Sequence, residues 1–105
     1  MIIKNYCPHS INILKNDIVI EYPSLGIARC VSSSKYLKTI DGINIYKMSY
    51  GEVIGLPKPE ENTVYIVSKI VAEAMKETRN DLLIVNETVK DQNNVILYCK
   101  SLSSL

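Results

Sequence analysis

The sequence contains no Phe, no Trp and a single His, and its three Cys stand far apart without a CxxC pair. A structural zinc site takes four Cys or His ligands, and a disulfide framework takes an even number of cysteines. We therefore expect no bound metal, no disulfide bond and no cofactor. Cys7, Cys30 and Cys99 follow or lie in strand-like runs, where a thiol packs as a small apolar side chain.

An excess of either charge is also missing, because 12 basic residues are balanced by 11 acidic ones. Non-specific binding to nucleic acid depends on a broad positive field, so nucleic acid is not an expected partner. No window reaches the roughly 18 apolar residues of a membrane span, and the N-terminus lacks the apolar core of a signal peptide. The expected location is the cytoplasm, without membrane contact.

Ile, Lys, Asn and Tyr are abundant, with 15, 10, 9 and 7 residues. This bias is typical of an AT-rich genome and indicates a low-GC bacterium or an element that replicates in one. With 105 residues, 47% of them hydrophobic, the chain is expected to form a single domain over 1–105. Its apolar strands offer more apolar surface than one helix can cover, so a homo-oligomer, a dimer or higher, is expected.

Alternation of apolar and polar residues predicts three antiparallel β-hairpins. Their turns contain Lys-Asn-Asp at 15–17, Asp-Gly at 41–42 and Asp-Gln-Asn-Asn at 91–94. Asp-Gly supplies the positive φ angles of a type I′ turn. The predicted strand pairs are 11–14 with 18–22, 35–40 with 43–48, and 85–90 with 95–100. A further strand is predicted over 27–32 and a surface loop over 51–62.

One helix is predicted after the strand-like run 63–67, with Ser68 as its N-cap and its end near Arg79. Its apolar stripe consists of Ile70, Val71, Ala74 and Met75. The apolar run 81–85 then predicts a strand covered on both faces. We predict an α+β fold, made mainly of antiparallel β-hairpins with one βαβ unit, and with the single helix packed on the sheet.

His9 is the only histidine, so a general base would be this residue or a carboxylate. A local hydrogen bond at the end of the first strand is the other interpretation of His9. No nucleophile elbow and no glycine-rich phosphate loop is present. A small hydrolase that uses His9 with Glu52 or Asp81 is therefore only an alternative hypothesis, and we expect a protein that is not an enzyme.

Two arginines stand out in a chain whose other basic residues are Lys. Arg29 and Arg79 indicate positions that use a planar guanidinium for a carboxylate or a phosphate. The alternative is that they pair with Asp81 or Glu52 within the protein. Ser68 likewise either caps the helix or marks an anion site at the helix N-terminus after a strand.

Four segments together resemble a family of small uncharacterised phage and prophage proteins whose members typically begin near Asn-Leu-Thr-Pro-His. The segments are NYCPHSINI at 5–13, GEVIGLP at 51–57, YIVS at 65–68 and RNDLL at 79–83. The chain departs from the family at Cys7, where Thr is usual, at 85–86, where Pro is frequent, and at 93–94, where a Gly turn is usual. The polar positions shared with the family are Asn5, His9, Arg29, Glu52, Ser68, Arg79 and Asp81.

The resemblance implies a phage origin, and so a location in the cytoplasm of an infected bacterium. Small phage proteins without a catalytic motif are often counter-defence factors. The leading hypothesis is a non-enzymatic binding protein that sequesters a nucleotide-derived immune signal, a cyclic nucleotide or an ADP-ribose-like molecule, through these seven shared residues. In this hypothesis arginines hold phosphate and Tyr stacks on a base. The alternative is an inhibitor that blocks a host or defence enzyme by surface contact.

Overall fold

Eight strands and one short helix are formed in the computed structural model, which describes all 105 residues. The strands are β1 (Ile2–Asn5), β2 (Ile11–Lys15), β3 (Ile18–Tyr22), β4 (Arg29–Ile40), β5 (Ile43–Ile54), β6 (Thr63–Ile66), β7 (Leu82–Lys90) and β8 (Ile96–Ser103). The helix α1 (Lys69–Met75) lies between β6 and β7 in the chain. The fold is therefore mostly β with one helix, of the α+β kind that the sequence predicts. That helix is too short to cross a lipid bilayer.

Six strands form one mixed sheet in the order β1-β6-β7-β8-β2-β3. Three of its five junctions are parallel, namely β1 with β6, β6 with β7, and β8 with β2. The last two are short, with two paired residues between β6 and β7 and one pair, Ile13 with Cys99, between β2 and β8. β4 and β5 pair only with each other and form a separate two-stranded ribbon.

All three predicted hairpins are confirmed by antiparallel pairing. Their turns use the polar residues expected of them, because Asp41 and Gly42 both have positive φ, at 52° and 79°. In the β7–β8 connection, the Asp91 carboxylate accepts hydrogen bonds from the backbone N–H of Asn93 and Val95 at 2.8 and 3.0 Å. Local side-chain chemistry therefore determines where these strands reverse.

Several predicted boundaries are wrong. The predicted strands 27–32 and 35–40 form one continuous strand, β4, and β5 extends into the predicted loop to Ile54. The helix ends at Met75 instead of near Arg79, and in the turn that follows it the Met75 carbonyl accepts from both Thr78 and Arg79 N–H. Its buried residues are Val71 and Ala72, while Ile70 is exposed, so the apolar stripe is rotated from the predicted one.

The body of the protein, defined as the six-stranded sheet with α1, has two small apolar clusters. Tyr65 and Ile66 are adjacent in β6 and belong to different clusters, since successive side chains of a strand point to opposite faces. The cluster that contains Tyr65 also contains Val71 of α1, which places the helix on one face of the sheet. Cys7 and Cys99 are buried, as expected of small apolar side chains, whereas Cys30 is half-buried.

The outer part of the β4–β5 ribbon, residues 31–50, is hereafter the arm. Every one of its residues is exposed except the half-buried Ile45. Near the body, the Tyr50 hydroxyl donates to the Glu73 carboxylate of α1 at 2.9 Å. The radius of gyration of the whole chain is 16.4 Å, compared with about 13 Å for a compact chain of this length. The molecule is consequently a small body with an arm attached beside its helix.

Candidate functional site

Asn5, at the end of β1, is 1% exposed and its side chain is fully engaged. Its amide nitrogen donates to the carbonyls of His9 and Tyr22, both at 2.9 Å, and its amide oxygen accepts from Cys7 N–H at 2.8 Å. These bonds hold the turn that follows β1 against the end of β3. Asn5 therefore positions His9 through the His9 backbone, and its own side chain faces the protein interior.

His9 is exposed, and its Nδ1 lies 3.1 Å from the Ser10 carbonyl oxygen. This contact agrees with the second interpretation of His9 given above, a local hydrogen bond after the first strand. The ring also lines a groove between β2 and β8. His9 is the only one of the seven predicted site residues that lines this groove.

The groove separates β2 from β8 and has a cavity volume of about 430 Å³. It exists because the two strands pair only at Ile13 and Cys99, and beyond that pair the Asn12 side chain bridges to the Leu97 carbonyl at 3.2 Å. Apolar walls come from both strands and from Val85, and polar groups come from His9, Asn12, Thr88, Asn94 and Tyr98. No Lys or Arg lines the groove.

Arg79 and Asp81 form a bidentate ion pair, with Nε to Oδ1 and Nη2 to Oδ2 both at 2.8 Å. Nη1 of Arg79 also donates to the Pro57 carbonyl at 3.0 Å, and its guanidinium carbon lies 5.8 Å from the centre of the Tyr65 ring. The two side chains are only 10% and 13% exposed. The hydrogen bonds from Arg79 lower the pKa of Asp81, so this carboxylate is held in its charged form.

Ser68, Arg29 and Glu52 are all exposed. Ser68 is the N-cap of α1, since its hydroxyl accepts from Val71 N–H at 3.4 Å. Arg29 begins β4 opposite Ile54, and Glu52 lies in β5 where the pairing register shifts. Neither Arg29 nor Glu52 has a side-chain hydrogen bond or an ion pair, so both charges face the solvent.

The structure thus brings together two pairs of the predicted residues, Asn5 with His9 and Arg79 with Asp81. The hydrolase hypothesis requires His9 to lie beside Glu52 or Asp81. No hydrogen bond or ion pair joins His9 to either carboxylate. No group of three or more His, Cys, Asp or Glu residues is arranged to hold a metal ion. No other side-chain hydrogen bond or ion pair joins two of the seven residues.

Sequence reasoning missed the polar groups that share the groove with His9. Thr88 and Tyr98 lie on the predicted β7–β8 hairpin, and Asn94 lies in its turn, so their mutual proximity follows from a local pattern. Their proximity to His9 and Asn12 depends on the parallel junction of β8 with β2, which no local pattern indicates. The groove was therefore not predictable from the alternation of residues alone.

Searches against protein-family models, curated proteins and solved structures found no match to this chain. The resemblance to the phage family stays a prediction.

Proposed function

We propose that this protein is a phage-encoded, non-enzymatic binding protein that sequesters a nucleotide-derived immune signal, with the nucleoside part of the ligand in the groove between β2 and β8. The main support is the size and lining of that groove. Its 430 Å³ lies in the range of about 300–1,000 Å³ that small-molecule sites occupy, and it combines apolar walls with a few polar groups.

The chemistry of the lining suits a base and a sugar. Tyr98 supplies an aromatic ring with a polar end, and His9, Thr88 and Asn94 supply donors and acceptors for base edges and hydroxyl groups. Because no Lys or Arg lines the groove, the phosphates of the ligand would stay at its open mouth. This assigns His9 a direct role, and gives Asn5 a positioning role through its bond to the His9 carbonyl.

The proposal also concerns the frame that supports the groove. β7 is the hydrogen-bonded neighbour of β8 on the side away from β2. We interpret β6, α1 and β7 as a βαβ unit that fixes β7 in the sheet. The parallel register of Tyr65 with Leu82 and of Ile66 with Leu83 supports this interpretation. In this arrangement Arg79 and Asp81, which follow the helix, stabilise the connection and do not contact ligand.

Release of bound ligand by heat tests the proposal. The protein is incubated with a cyclic dinucleotide, with ADP-ribose or with AMP, separated from free ligand, heated and analysed by chromatography. We expect one of these to return intact, and His9→Ala to bind it at least tenfold more weakly. Arg29→Ala is the control, since Arg29 is equally exposed but does not line the groove. A hydrolysed product would indicate an enzyme, and equal binding by both variants would contradict the groove assignment.

A second candidate function is the surface inhibitor of a host or defence enzyme. The observation that favours it is the exposure of the arm, whose outward side chains include Leu37, Ile40 and Ile43. Exposed apolar surface of this extent commonly marks a protein–protein contact. Absence of any bound nucleotide in the heat-release experiment would favour this function over the first.

A further inference from the structure

The two faces of the arm differ in chemistry. Paired residues of antiparallel strands share a face, so the register of β4 with β5 assigns each side chain to one side. One face, hereafter the aromatic face, carries only neutral residues: Ser32, Ser34, Tyr36, Thr39, Asn44, Tyr46, Met48 and Tyr50. The opposite face, hereafter the lysine face, carries Lys35, Lys38, Ile40, Ile43, Ile45 and Lys47.

The aromatic face resembles a protein interior but is open to solvent. Tyr36 and Tyr46 pack edge to face with ring centres 6.0 Å apart. The four large side chains of this face are between 43% and 59% exposed. Isolated two-stranded ribbons are only marginally stable in water, so covering this face would stabilise the arm.

We propose that the aromatic face of the arm packs against the aromatic face of a second copy of this chain, in a twofold dimer. The proposal does not rest on the groove or its ligand. It concerns a surface on the side of the ribbon from which Tyr50 reaches Glu73 of α1.

The shape of the face favours a second copy. Along β5 the face carries the large side chains Tyr46, Met48 and Tyr50. Met48 lies opposite the small Ser34 of β4, and Tyr50 lies opposite Ser32. Over these two pairs the face has a high row on β5 beside a low row on β4, whereas Tyr36 and Tyr46 are both large at the next pair. In a twofold contact the high row of one subunit lies over the low row of the other, which makes the surface complementary to itself.

Charge selects the aromatic face over the lysine face. Pairing two lysine faces would bring six lysine side chains together, whereas the aromatic face has no formal charge. With the aromatic faces in contact, the lysine faces point outward to water. The arm carries three Lys and one Asp, so like-charge repulsion opposes the lysine-face contact only.

The area sets the expected strength. Four side chains of this size, each about half exposed, offer on the order of 400 Å², about half of the 800 Å² per partner in a standard interface. We therefore expect a dimer that dissociates on dilution through the micromolar range and not an obligate one.

Sedimentation velocity of the full chain across micromolar concentrations tests the proposal. We expect the mass to rise from the 11.8 kDa monomer towards twice that value. Met48→Glu places a charge on the aromatic face and is expected to weaken association at least tenfold. Ile40→Glu, a matched control of similar exposure on the lysine face, is expected to leave it unchanged. Circular dichroism of both variants checks that the fold is kept.

A second measurement uses the unaltered chain. The chain has three methionines, and Met48 is the only one of them on the aromatic face. We expect its methyl NMR signal to shift with concentration while the Met75 signal stays constant. A monomer at all concentrations would overturn the proposal and leave the arm to an unlike protein. Loss of association in Ile40→Glu but not in Met48→Glu would overturn it in favour of another face.

Discussion

The body and the arm contain the same kinds of side chain in opposite surroundings. In the body, Tyr6 and Tyr65 pack edge to face at 5.6 Å, and in the arm Tyr36 and Tyr46 do so at 6.0 Å. Yet Tyr65 is 0% exposed and Tyr46 is 57% exposed. The same local contact therefore supports folding in the body, while in the arm it shapes a surface.

This contrast extends to the whole chain. Its exposed large apolar side chains number 21, compared with 11 buried apolar residues. A single copy of the chain thus leaves much of its apolar surface uncovered, which agrees with a protein that functions in contact with a partner. Substitutions that separate folding from association are the direct way to examine the difference.

The largest effect is expected for Asn5→Ala in the body. It removes the side-chain partner of the part-buried carbonyls of His9 and Tyr22 and of the buried N–H of Cys7. We expect a loss of about 3–5 kcal/mol in the free energy of unfolding, measured by urea denaturation. Asn12→Ala, which removes one exposed bond to Leu97, is the control and should change it by less than about 1 kcal/mol. Equal losses would contradict the central role of Asn5.

The two ends of the β4–β5 ribbon should respond differently to the same change. Gly55 has φ of +85° and an added Cβ would collide with the Ile27 backbone, whereas Gly42 has φ of +79° with nothing near it. We expect Gly55→Ala to cost about 3 kcal/mol, from the collision and the backbone strain together. Gly42→Ala should cost about 1 kcal/mol, from backbone strain alone. Thermal melts of both variants would show whether the base of the ribbon is as rigid as its contacts indicate.

Matched valines compare the two regions most directly. Val71 is 1% exposed in the body, and Val31 is 57% exposed in the arm. Val71→Ala should lower the free energy of unfolding by about 2 kcal/mol through cavity formation, and Val31→Ala by less than about 0.5 kcal/mol. Urea denaturation at a concentration where the chain is monomeric measures both. Similar losses would mean that the arm is an integral part of the fold.

The smallest effect is expected at the ion pair. At neutral pH, Asp81→Asn should cost about 1.5 kcal/mol, because it removes charge-assisted bonds to Arg79. The folded-state pKa of Asp81 lies below its unfolded value. Its contribution is therefore complete above the unfolded pKa of about 4 and is lost as the pH falls through the folded pKa. The stabilities of the two proteins should converge in acid, and a constant difference down to acidic pH would contradict this.

The sequence predicts what is local. The hairpin turns follow from two to four residues each. The Ser68 cap and the Arg79–Asp81 pair are each one of two alternatives that the sequence leaves open, and both bonds are local. The sequence does not predict the parallel junctions, because Ile2 pairs with Thr63 and Ile13 with Cys99 across most of the chain. The groove depends on one of these junctions, so its lining was missed although His9 was identified. The ends of β4 and β5 were misplaced because an exposed ribbon has no buried face to mark its limits.

The distances along the chain between paired strands also determine the order in which the structure can form. The arm closes around a two-residue turn, an event of about 1–10 μs for an isolated hairpin. The pairing of β1 with β6 must wait for residue 63, and the β2–β3 hairpin joins β8 only when residue 99 is in place; such long-range pairings are slow. The arm is therefore expected to form, with only marginal stability, while the sheet is still incomplete. The proposed contact between aromatic faces would then be open to chains at that stage.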